Sequence, residues 1–214
     1  MFHPSLTGLR EVLCLGAHSD DIEIGCGGTL LRLVAANPGL RITWIVFSGA
    51  DDEVRRAEAL RGAERFCAGA PEPTVHVEGF RDGYFPFDPS LKDRFRTLAA
   101  ATDPDLIFTH RRDDAHQDHR ALADLTWQHF RNHLTLEYEI PKYEGDLGRP
   151  NLFVPLDAAT AERKVGLLTE TFVSQRTRRW FTPETFEATL RLRGIESNAG
   201  SGFAEGFHVR KIVL

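Results

Sequence analysis

The chain has 214 residues, 42% apolar and 27% charged, enough to bury a core within one globular domain over residues 1–214. Its formal charge is -5 and its arginines cluster only in RRAEALR (55–61) and RTRR (176–179), a balance that repels a phosphate backbone and excludes nucleic acid as an expected partner. Cys14, Cys26 and Cys67 form an odd set without CxxC spacing, which fits neither a disulfide framework nor a thiolate zinc site and suits a reducing, cytoplasmic setting.

The N-terminal MFHPSLTGLREV lacks a basic region followed by an apolar run. No stretch approaches the ~20 apolar residues of an integral membrane span. EVLCLGA (11–17) is a continuous apolar run, as in a strand buried on both faces. GGTLLRLVAANPG (27–39) reads as a helix stopped by Asn37-Pro38-Gly39. RITWIVFSG (41–49) gives a second strand, residues 53–68 a helix, TVHVEGF (74–80) a third strand, Leu91 to Ala101 a helix, and PDLIFTH (104–110) a fourth strand.

LADLTWQHF (122–130) is helical, LEYEIPKY and NLFVPL are short extended segments, 157–173 and 183–194 are helical, and FHVRKIVL ends the chain as a strand. Strands alternating with helices predict a Rossmann-like α/β fold, a mostly parallel sheet with helices on both faces.

Two loops carry unusual chemistry. Ala17-His18-Ser19-Asp20-Asp21 follows the first strand, and His110-Arg111-Arg112-Asp113-Asp114-Ala115-His116-Gln117-Asp118-His119 follows the fourth. Ligands in open α/β sheets bind outside the carboxyl ends of the strands, so adjacent first and fourth strands would bring both loops to one crevice. Imidazoles and carboxylates there suit a catalytic zinc, which takes three protein ligands and leaves a position for water. The plainer alternative is that Asp and Ser at strand ends cap the following helices, with Asp118 capping one.

His18-Ser19-Asp20-Asp21 resembles the AHPDD signature of the LmbE/PIG-L deacetylases, and His116-Gln117-Asp118-His119 resembles their HPDH or HxDH signature. IEIGCGGTL, the RxxE pattern at Arg55 and Glu58, and FAEGF (203–207) extend the resemblance over nearly the whole chain. Ser19 stands where the family commonly has proline, and Ile22 where it commonly has glutamate.

The resemblance implies a zinc-dependent hydrolase that removes the acetyl group from an N-acetylglucosamine-type sugar or sugar conjugate. His18, Asp21 and His119 would bind Zn2+, or another divalent metal such as Fe2+, and Asp20 would be the general base. His116, oriented by Asp118, would stabilise the oxyanion and protonate the leaving amine; Arg55 would contact substrate. His110 and Asp113 are candidates for supporting the ligands. Family relatives also suggest homo-oligomeric assembly.

Two other readings compete. IEIGCGGTLLRLV resembles the glycine-rich motif of S-adenosylmethionine methyltransferases, which would require IEIG to be a strand and leaves HQDH unused. A non-catalytic metal- or sugar-binding module would need neither Asp20 beside a ligand nor His116 next to Asp118. Trp127, Tyr138, Tyr143, Trp180 and Phe181 receive no role, since aromatics in such a chain usually pack the core.

Overall fold

A computed structural model describes residues 6–213. Its strands are β1 (Glu11–Gly16), β2 (Arg41–Val46), β3 (Thr74–Val77), β4 (Leu106–His110), β5 (Leu134–Tyr138), β6 (Leu152–Leu156) and β7 (Phe203–His208). Its helices are α1 (Asp21–Ala36), α2 (Glu53–Phe66), α3 (Pro89–Ala101), α4 (Gln117–His129), α5 (Ala158–Thr171) and α6 (Pro183–Glu196). The strands form one seven-stranded sheet in the order β3-β2-β1-β4-β5-β7-β6.

β1 to β5 pair in parallel, and β7 runs antiparallel to both β5 and β6. Pro155 is tolerated because β6 is an edge strand, where a missing donor breaks no ladder on the open side. The chain order reverses between β1 and β4, which leaves a crevice above their carboxyl ends.

Alternation along the buried strands divides the core. Val12, Cys14, Ile42, Trp44 and Phe108 face the layer containing Leu30, Phe66 and Leu168 from α1, α2 and α5. Leu13, Leu15, Ile45 and Ile107 face Leu91, Phe95 and Leu122 from α3 and α4. All three cysteines are free and buried within the first layer.

Several boundaries differ from those expected; β5 covers Leu134–Tyr138 rather than LEYEIPKY, and three further shifts have physical causes. α1 begins at Asp21 rather than at residue 27, so IEIG is helical and the methyltransferase reading loses its strand. Its glycines serve close packing: a Cβ on Gly25 would fall 2.2 Å from the Tyr138 ring. That contact outweighs the roughly 1 kcal/mol that helical glycine costs against alanine. Gly25→Ala is expected to lower stability by about 1–3 kcal/mol through overpacking, measured as a fall in the thermal midpoint; a midpoint equal to the parent's would contradict this packing.

α4 begins at Gln117, five residues before the expected LADLTWQHF, because the His116 ring accepts the Asp118 N–H and caps the first turn. The final strand is Phe203–His208 rather than FHVRKIVL. Register explains this shift: β6 pairs with Phe203 to Phe207, and β5 offers partners only to Phe207 and His208. Leu214, the end of the expected strand, lies outside the described residues.

Candidate metal centre

β1 and β4 are hydrogen-bonded neighbours, with Cys14 opposite Phe108, so the loops that leave their ends meet. His18 Nδ1 lies 3.3 Å from Asp21 Oδ2, and His119 Nε2 lies 3.3 Å from His18 Nδ1 and 3.6 Å from Asp21 Oδ2. Ligands at about 2.0–2.1 Å from a tetrahedral zinc are separated from one another by about 3.3–3.4 Å. This triangle of two nitrogens and one oxygen therefore matches one face of such a polyhedron, and the donor set fits a divalent ion with a coordination position left over.

Neighbouring groups turn the rings the right way. His18 Nε2 is 3.0 Å from Asp82 Oδ1, which places its proton there and leaves the Nδ1 lone pair towards Asp21. Asp114 Oδ2 makes a close contact of 3.1 Å with His119 Nδ1 and similarly favours a free Nε2. The His18 N–H donates to Asp21 Oδ2 at 2.6 Å, a local turn that fixes the first loop.

His110 is fully buried at the end of β4, its Nε2 3.2 Å from Asp21 Oδ2 and accepting the Ala17 N–H at 3.0 Å. Its ring thus lies against the Asp21 carboxylate. The Tyr138 hydroxyl donates to the Leu15 carbonyl at 2.6 Å and packs its ring against His110.

Electrostatics favour a cation at this point. Burial pulls the His119 pKa down, helped by the charge of His110, to about 3, so the ring stays neutral and can act as a ligand. Burial also lowers His18, but Asp21 and then Asp82 outweigh it and lift the pKa to about 10. Burial raises Asp21, yet His119, His110 and His18 together hold it well below the usual carboxylate range. The pull that protonates His18 is a pull for positive charge among carboxylates, which a divalent ion satisfies as well.

Asp20 stands at the N-cap position of α1 without a side-chain capping bond, is buried, and accepts a hydrogen bond from Arg55 Nη2 at 3.0 Å. Desolvation raises its pKa, with Arg55 acting in the opposite sense. Arg55 in turn donates to Glu58 at 2.9 Å, and Glu58 accepts the Ser174 N–H and hydroxyl at 2.8 and 2.7 Å. The RxxE pattern is thus an i,i+3 ion pair that aims Arg55 at Asp20.

Three expectations need correction. The Asp118 carboxylate does not orient His116: it accepts the Gly83 and Phe85 N–H groups at 2.6 and 3.1 Å and anchors the loop after β3. His116 is instead set by the Asp118 backbone N–H, which donates to Nδ1 at 3.2 Å and leaves the ring proton on Nε2. Burial, and then the charge of His18, lower the His116 pKa, so the ring is a neutral donor rather than the imidazolium expected. Asp113 is exposed, and only its backbone carbonyl is engaged, by Arg111; the next residue, Asp114, is the one that meets His119.

Asp82, Asp114 and Lys142 went unnoticed in the sequence. Asp82 had only a turn signal, Asp-Gly, and Lys142 sits in a polar connection with no motif. Nothing in the local pattern separates Asp114 from Asp113.

An uncharacterized deacetylase, YaiS, of Escherichia coli K12 is 32% identical over 125 residues, 53% of this chain and 64% of that protein. The aligned stretch thus spans just under two thirds of that relative's length. The N,N'-diacetylchitobiose deacetylase of Pyrococcus horikoshii superposes with a TM-score of 0.73 at 20% identity, covering 95% of this chain and 84% of that one. GalB, the 4-carboxy-2-hydroxymuconate hydratase of Pseudomonas putida KT2440, superposes with a TM-score of 0.75 at 16% identity, covering 96% and 98%. At such identities the two structures share the fold. The sequence profile of the PIG-L family, described as GlcNAc-PI de-N-acetylase, matches residues 13–130, a stretch that holds both loops and the whole ligand triangle, and the chain belongs to that family.

Proposed function

We propose that the chain is a divalent-metal-dependent deacetylase that hydrolyses the acetamide of an N-acetylated amino sugar or its conjugate, with His18, Asp21 and His119 holding the ion. The spacing of 3.3, 3.3 and 3.6 Å among their three ligand atoms carries the reading. Zn2+ is the ion we favour, since two imidazoles and one carboxylate around an open position suit it. Family membership and the sugar deacetylase among the structural neighbours support the substrate class.

A divalent ion there supplies Lewis acidity, acidifying water and polarising an amide carbonyl. The remaining steps belong to the chain. Asp20, held by Arg55 and raised in basicity by burial, takes the proton of the attacking water. His116, whose Nδ1 is occupied, presents its Nε2–H to the carbonyl oxygen as that oxygen becomes negative. Asp20 then returns its proton to the departing nitrogen, so the amide gives acetate and a free amine. Arg55 positions Asp20 and stands at the edge where a polar substrate group would reach it.

Hydration by the neighbouring hydratase's chemistry would need activated water too, but no amine would leave. Acetate release separates the two. The protein is expected to liberate acetate from N-acetylglucosamine or its glycosides, to stop on chelation, and to recover with added zinc. Zinc-loaded protein that releases no acetate from free, nucleotide-linked or glycosidic N-acetyl sugars would refute the deacetylase reading.

A further inference from the structure

The connection from β5 to β6 passes over the outer side of the metal loop and is tied to it by charge. Lys142 Nζ lies 3.0 Å from Asp114 Oδ1 and 2.7 and 2.8 Å from the two carboxylate oxygens of Asp146. Asp146 Oδ2 accepts the Ala115 N–H at 2.6 Å, and its backbone carbonyl accepts from Arg111. Two carboxylates from different segments thus share one ammonium.

The consequence falls on Asp114, whose side chain is only 2% exposed. Its Oδ1 is occupied by Lys142 and by the His116 N–H at 2.8 Å, which leaves Oδ2 facing His119 Nδ1 at 3.1 Å. Among the described residues no other lysine or arginine lies within ion-pair distance of Asp114. The Lys142 ammonium and the His116 backbone N–H together hold one edge of the Asp114 carboxylate, and that grip keeps the opposite edge against the His119 ring. An isolated surface pair would contribute little, but this one is nearly excluded from water and ends on a ligand.

We propose that Lys142 is a positioning residue for His119: through Asp114 it holds the imidazole with Nε2 towards the ion and so sets metal affinity, while touching no reacting atom. The proposal rests on the reading of His119 as a ligand. It assigns the strap around Lys142 and Asp146 a task beyond joining two strands.

The test is a thermodynamic cycle in zinc affinity, read by competition with a chelating dye on the full chain. Lys142→Met is expected to weaken binding by about 10–100-fold, the usual effect of losing a group that supports a ligand. Placed in an Asp114→Asn background the same change should have little further effect, and Lys142→Arg should restore most of the affinity. Should Lys142→Met not fold, Lys142→Gln carries the same comparison.

Parent-like affinity in Lys142→Met would overturn the proposal. So would an equal loss in the parent and Asp114→Asn backgrounds, because a general disturbance of the fold would not depend on Asp114. A parent chain that binds no zinc would refute His119 as a ligand, an outcome visible before any variant is compared.

Discussion

Asp20→Asn is expected to retain its metal and to lose turnover by about 10²–10⁴-fold, the contribution of a positioned general base. Asparagine has the shape of aspartate and its carbonyl can still accept from Arg55 Nη2, now 3.0 Å from Asp20 Oδ1, so the change removes basicity with little displacement. Asp20 is not one of the three atoms in the ligand triangle, and zinc content should therefore stay at the parent level. Steady-state acetate release together with metal analysis makes the measurement. Turnover equal to the parent's would mean that another group takes the water proton; loss of metal would mean that Asp20 belongs to the coordination shell.

Asp21→Asn, one residue away, should do the opposite first: lose the ion, and activity with it. Asp21 Oδ2 sits 3.2 to 3.6 Å from the nitrogens of His110, His18 and His119, and it is the only anion among them in the triangle. An amide keeps an acceptor for the His18 N–H but leaves two neutral imidazoles to hold the cation. The expected fall in zinc affinity exceeds the roughly 10–100-fold that loss of a supporting contact causes, and activity at limiting zinc should vanish. Excess zinc should restore part of it. An Asp21→Asn protein that binds zinc as the parent does would remove the central carboxylate from the centre.

These opposite outcomes at adjacent positions show what the sequence makes legible. The alternation of apolar runs and helical segments is strong because a parallel sheet buries both faces, and it marks the first four strands; their order across the sheet comes from the fold. The two histidine- and aspartate-rich loops stand out because they follow strand ends, where ligands of open α/β sheets bind. Residues 21–26 are harder: Gly25 looks like a helix breaker until its partner Tyr138 is known, and that lies far along the chain.

The same limit applies to the supporting residues. Asp82 reaches His18 from the loop after β3, and Lys142 reaches Asp114 from beyond β5, contacts made by the tertiary fold alone. Asp118 shows a different failure, for its place beside His116 in the motif suggested a pair, while the helix start turns its carboxylate towards Gly83 and Phe85 and offers His116 the backbone N–H. The cap of this helix is His116 itself, and the Asp118 carboxylate neither caps it nor reaches the His116 ring.

Whether His18, Asp21 and His119 hold the ion is decided by a crystal structure of zinc-loaded protein with anomalous differences recorded on both sides of the zinc edge. One strong peak is expected at about 2.0–2.2 Å from His18 Nδ1, Asp21 Oδ2 and His119 Nε2. A peak held by other side chains, with these three residues unligated, would contradict it.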